Sequence, residues 1–98
     1  MQFTALNWLS DASWFSTKMV DDYFLIYNYR SGDTHVLNAI SYELLELIAQ
    51  NPVPAGQLKE VFAQRLQVTS TEVHDQLLNN ALKSLDEAGL IEPSEMRL

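Results

Sequence analysis

The sequence predicts an α+β fold of winged helix-turn-helix type, a three-stranded antiparallel β-meander followed by three α-helices. Three observations carry this prediction. Between Trp14 and Ala39, aromatic and β-branched residues gather in short runs separated by Asp21-Asp22 and by Ser31-Gly32-Asp33. From Ser41 onward, leucines recur at helical spacing in three blocks. Prolines and a glycine (Pro52, Pro54, Gly89) punctuate those blocks.

The first strand is Trp14 to Val20, with Phe15, Thr17 and Met19 on one face and Trp14, Ser16 and Lys18 on the other. Asp21-Asp22 makes a two-residue turn, although it lacks the glycine such turns favour. Tyr23 to Arg30 is the strongest strand signal. Phe24 and Ile26 share a face with Asn28 and Arg30, while Tyr23, Leu25, Tyr27 and Tyr29 share the other. Both faces begin apolar, so this strand is expected at the centre of the sheet. Gly32 supplies the freedom to take a positive φ in the next turn. Thr34 to Ala39 is the third strand, and the meander leaves it at an edge.

Helix one is expected near Ser41, a good N-cap, with Leu44, Leu45, Leu47 and Ile48 as its apolar stripe and Glu43 and Glu46 in water. Asn51, Pro52 and Pro54 end it. Helix two runs from about Gly56 to Leu66 on Leu58, Val61, Phe62 and Leu66. Helix three opens at the capping box Thr69-Ser70-Thr71-Glu72 and stops at Gly89, which fits a left-handed C′ position with Leu90 packing back on Leu85. Residues 1–12 fit neither period and read as a packed arm or short strand. The tail from Leu90 to Pro93 reads as extended apolar cover.

The chain has 98 residues, 47% of them apolar, enough for one domain spanning 1–98 with one modest core. No apolar run reaches the roughly 18–20 residues of a membrane span. The N-terminus lacks the basic start and apolar run of a signal peptide. There is no cysteine, which removes disulfides and thiolate metal sites, and a cytoplasmic location fits. The formal net charge is −7, from six basic and thirteen acidic side chains. The basic residues are scattered singly, so the field repels nucleic acid and acidic membranes and attracts basic partners.

Enzyme signals are absent, and no cofactor is implied. His35 and His74 sit on different elements without a ligand spacing. They read as a strand-edge and a helix-flank histidine. The three glycines are too far apart for a phosphate-binding loop. Asp21-Asp22 reads as a solvated turn rather than a catalytic dyad. Tyr23, Tyr27 and Tyr29 could stack nucleic-acid bases, but such a platform needs flanking cations and only Arg30 is near. Filling a small core is the favoured reading of these tyrosines.

On a helical wheel, Val73, Leu77, Ala81, Leu85 and Ala88 form the core stripe of helix three. Leu78 and Leu82 widen it to one side. Either they pack under the N-terminal arm, or they form an apolar shoulder beside the open strand where a peptide could lie. The outward positions include Glu72, Asp75, Asn79, Asn80, Lys83, Asp86 and Glu87, a set poorly suited to reading DNA.

The run DDYFLIYNYRSGDTHVLNAISYELLELI, with LKSLDEAGLIEP after a second helix, resembles the PqqD-like proteins, and more narrowly the small type that accompanies HPr-kinase-related proteins in bacteria. The resemblance spans about Trp8 to Pro93, and Ser31 to Asn38 with Ser41 is its most telling part. It implies a RiPP recognition element, a non-enzymatic adaptor that binds the leader segment of a ribosomally made precursor peptide. Such an adaptor presents the leader to a modifying enzyme, here an HPr-kinase-related one. It further implies that the leader adds as a strand to Thr34, His35, Val36 and Leu37. Leu78 and Leu82 would line the cleft to helix three, with Asp75 and Asn79 at its rim. The competing readings are a winged-helix DNA-binding regulator and a structural docking subunit of a kinase-like enzyme. A monomer and an edge-paired or strand-swapped dimer are both compatible with the open edge.

Overall fold

The computed structural model describes residues 7–50 and 53–94. The elements run β1 (Trp8–Leu9), β2 (Phe15–Val20), β3 (Tyr23–Asn28), β4 (Thr34–Leu37), α1 (Ala39–Gln50), α2 (Leu58–Leu66), α3 (Asp75–Glu87) and β5 (Glu92–Pro93). β2, β3 and β4 form an antiparallel meander with β3 at its centre, as both apolar faces of that strand predict. β1 and β5 pair antiparallel in a second, two-stranded sheet. The fold is therefore α+β, with the sheet first and three helices after it.

Register decides which side chains enter the core. Phe15 with Asn28, Thr17 with Ile26 and His35, and Met19 with Phe24 and Leu37 fall on the helix side of the sheet. Phe15, Ile26, Asn28 and Leu37 are buried there, while Met19, near the β2–β3 turn, is exposed. Phe24 stacks on Tyr42 of α1, with ring centroids 3.9 Å apart and planes 3° from parallel. Burial, with the hydrogen bond from the Tyr42 hydroxyl to Glu46, pushes the phenol pKa up. The turn before β3 is the expected Asp21-Asp22, and Asp21 carries the positive φ, 54°.

The tyrosines are a correction. Tyr23, Tyr27 and Tyr29 do not fill the core, because all helical packing lies on the opposite face of the sheet. Alternation along β3 separates its two faces but does not say which one the helices cover.

Two helices begin elsewhere than expected. α1 starts at Ala39, and Asn38 caps it, its Oδ1 accepting from the Ser41 N–H at 2.8 Å. The capping-box segment closes only a single 3₁₀ turn, Ser70–Glu72, in which the Glu72 carboxylate accepts from the Thr69 N–H at 3.2 Å. Val73 and His74 then run extended, Val73 drops into the core, and α3 starts at Asp75. The end of α3 is as expected. Gly89 takes φ 72°, and the Leu90 N–H donates to the Leu85 carbonyl at 3.0 Å, the six-to-one bond of a Schellman motif.

α2 ends in the same way without a glycine. Gln67 sits at φ 61°, and the Val68 N–H donates to the Ala63 carbonyl at 3.0 Å. That left-handed backbone crowds a side chain and suits glycine. Gln67→Gly is expected to raise stability by roughly 0.5–1 kcal/mol, read as a higher urea midpoint; a lower midpoint would show that the side chain contributes more than the strain removes.

The core joins Ile26 of β3 to Leu44, Leu45 and Ile48 of α1, Phe62 of α2, and Leu78, Leu82 and Leu85 of α3. The segment around β1 is tied to it by Trp8, which is buried, and by the Ser10 hydroxyl, which donates to the Leu90 carbonyl at 2.6 Å. The expected arm is thus a short strand at residues 8–9, and residues 1–6 lie outside the described residues. Asn51 and Pro52, expected to end helix one, also lie outside them.

Candidate functional site

β4 pairs with β3 on one side only, and its other side is an open edge among the described residues. Its backbone groups can be sorted. The Asn28 N–H donates to the Asp33 carbonyl at 2.8 Å. In an antiparallel ladder the bonded pairs then alternate, so His35 and Leu37 turn their N–H and C=O groups to β3. Thr34 and Val36 turn theirs outward, leaving a donor and an acceptor at each for an added strand. The His35 side chain faces the helix side, where its Nε2 is enclosed without a hydrogen-bond partner. The Leu37 side chain is in the core.

Next to the end of β4 lies a pocket of about 200 Å³. One wall is Asn38, just past β4, with Ile40 and Ser41 from the first turn of α1. The other is Leu77, Asn80, Ala81 and Ser84 of α3. Small-molecule sites occupy roughly 300–1,000 Å³, so this one suits a side chain or two rather than a cofactor. Among the described residues no charged one lines it, and the apolar contributions of Ile40, Leu77 and Ala81 alternate with amides and hydroxyls.

The four expected residues of α3 do not form this wall. Leu78 and Leu82 are fully enclosed in the core, and the leucine left at the surface is Leu77, 42% exposed. Asp75 and Asn79 fall on the opposite flank of the helix from the pocket. Asp75 is held there by Lys59 of α2 at 3.0 Å, and Asn79 is half-buried. A wheel that takes Val73 as helical gives the wrong phase. Val73 precedes the helix, so including it rotates the stripe onto Leu77. Leu78, Leu82 and Leu85 alone, at i, i+4 and i+7, set the correct phase.

Among the described residues, the outward side of α3 carries one cation, Lys83, with Asp86 and Glu87 close behind in sequence. Such a surface does not neutralise phosphates. Among the described residues no helix is long and apolar enough to cross a membrane, and no group of three or more acidic, histidine or cysteine side chains is placed to hold a metal.

No protein-family model and no curated protein sequence matches the chain. A solved structure does resemble it, that of TbiB1 in complex with the TbiA(beta) leader peptide. The TM-score is 0.60 at 17% identity, over 86% of this chain and 95% of that one. At that identity the likeness establishes a shared fold.

Proposed function

We propose that the protein is a non-catalytic peptide-binding adaptor. A precursor's leader segment adds as a fourth strand to β4, pairing with the outward backbone groups of Thr34 and Val36. One of its apolar side chains enters the pocket between Asn38, Ile40 and Leu77. The bound leader is then presented to a modifying enzyme, an HPr-kinase-related one where such an enzyme accompanies the gene. The observation that carries this reading is the open edge of β4 running directly into an uncharged pocket against α3, since strand addition needs both a backbone template and a place for alternate side chains. The similar fold of TbiB1, which holds a leader peptide, supports it.

The test is a titration of leader peptides encoded beside the gene, followed by amide shifts. Shifts are expected across Thr34 to Ser41 and at Leu77, Asn80, Ala81 and Ser84. Shifts confined to other surfaces would exclude the edge. Val36→Pro removes an outward N–H from an edge strand, where proline is tolerated. It is expected to weaken leader binding up to about tenfold, the loss of one hydrogen bond, while leaving the fold intact.

A further inference from the structure

The face of the meander turned away from the helices is not polar, as the solvent side of an antiparallel sheet usually is. Pairing sets its rows as Val20 with Tyr23, Lys18 with Leu25 and Val36, and Ser16 with Tyr27 and Thr34. Tyr29, just past β3, stands edge-on to Tyr27 at 5.3 Å. Val20, Tyr23, Tyr27, Tyr29 and Val36 are each 40–63% exposed, a contiguous apolar and aromatic surface of the kind that marks an interaction site.

We propose that this outer face is a second docking surface, for a protein partner whose contact patch is apolar and arginine-bearing. Charge selects that occupant. The face ends at one side on Asp21 and Asp22 and at the other on Asp33, all exposed. Among the described residues its one cation is Lys18, because Arg30 is spent on Glu92 at 3.0 Å and on the Trp14 ring at 3.9 Å. Three tyrosine rings between carboxylates suit guanidinium groups, which stack on aromatic faces and pair with aspartate. A second copy of this chain would set aspartates against aspartates on two molecules of net charge −7 each.

The partner's identity as the modifying enzyme rests on the peptide reading. A strand added to β4 would set every second side chain on this same face, beside Thr34 and Val36. A protein seated on Tyr23, Tyr27 and Val36 would thereby touch the bound peptide as well, and would read the loaded adaptor in preference to the empty one.

The experiment uses the full chain and two helical probe peptides, one with leucine and arginine rows and a counterpart with glutamate replacing arginine. Methyl shifts at Val20, Leu25 and Val36 are expected with the arginine probe and not with the glutamate one. Tyr23→Ser and Tyr27→Ser, both at exposed positions and each checked for an intact amide spectrum, remove a ring without adding charge and are expected to weaken arginine-probe binding about tenfold. Equal response to both probes, no response to either, or shifts confined to the β4 edge and the α3 pocket would overturn the proposal. So would a dimer by sedimentation that Tyr27→Ser disperses. These arms contain no leader peptide, so failure of the peptide reading would leave them unmoved, and their failure would leave the leader titration standing.

Discussion

Leu78→Ala and Leu82→Ala are each expected to destabilise the protein by about 2–5 kcal/mol, and Leu77→Ala by less than about 1 kcal/mol. The three leucines lie within six residues on one helix, so propensity barely differs among them. What differs is enclosure. Leu78 and Leu82 are fully buried in the core that α3 shares with α1, and truncation removes apolar contact and leaves a void the surroundings cannot fully close. Leu77 is 42% exposed on the pocket wall and leaves no such void. For a domain of this size a loss of a few kcal/mol is a large share of the total, and each kcal/mol moves the melting point by roughly 4–8 °C. Urea or thermal unfolding of the three variants therefore separates them clearly. The order inverts for binding: Leu77→Ala is expected to weaken a leader peptide while the protein stays folded. If Leu77→Ala proved as damaging to stability as Leu82→Ala, the assignment of α3's faces would be wrong.

The same helix illustrates what was legible in the sequence and what was not. The strands, their order, the turns and the Gly89 stop are written locally. Period-two patterning, a positive φ at Gly32 and Gly89, and leucines at helical spacing each act over a few residues. The phase of α3 was lost because a capping box is a local signal too. It satisfies the Thr69 N–H, but whether the helix continues is decided by the burial of Val73, a tertiary matter. The pocket was invisible for a related reason. Its walls come from the β4–α1 corner and from α3, joined only by the packing of helices across the sheet. The edge at Thr34 to Leu37 was legible, since a meander's last strand has one neighbour. The exposure of the tyrosine face is not legible in the sequence, because a strand that is apolar on both sides does not say which side the helices cover.

Asn28 is the residue whose importance only the structure reveals, and Asn28→Ala is expected to cost about 2–4 kcal/mol. It sits at the end of the central strand and is 1% exposed. Its Nδ2 donates to the Ala88 carbonyl at 2.9 Å, across 60 residues of sequence. Its Oδ1 accepts from the Arg30 N–H at 2.8 Å and the Ser31 N–H at 3.3 Å. Its backbone closes the β3–β4 turn through the Gly32 N–H and the Asp33 carbonyl. One side chain thus fixes the turn that leads into β4 and also the carboxyl end of α3. Alanine strands a partly buried carbonyl and two turn amides, and a buried polar group without a partner costs roughly 1–3 kcal/mol. Asn28→Asp keeps the shape and the turn acceptor but puts an oxygen against the Ala88 carbonyl, so it is expected to be nearly as damaging. Gly89→Ala attacks the same junction from the helix side. A Cβ there would lie 3.1 Å from the Asn28 Nδ2 on a residue held at φ 72°. If the junction works as a unit, the double variant Asn28→Ala, Gly89→Ala loses clearly less stability than the two single losses added. Strict additivity in urea unfolding would mean that the turn and the end of α3 are held independently. The β4 edge and the α3 pocket wall would then be positioned by separate devices rather than by this shared one.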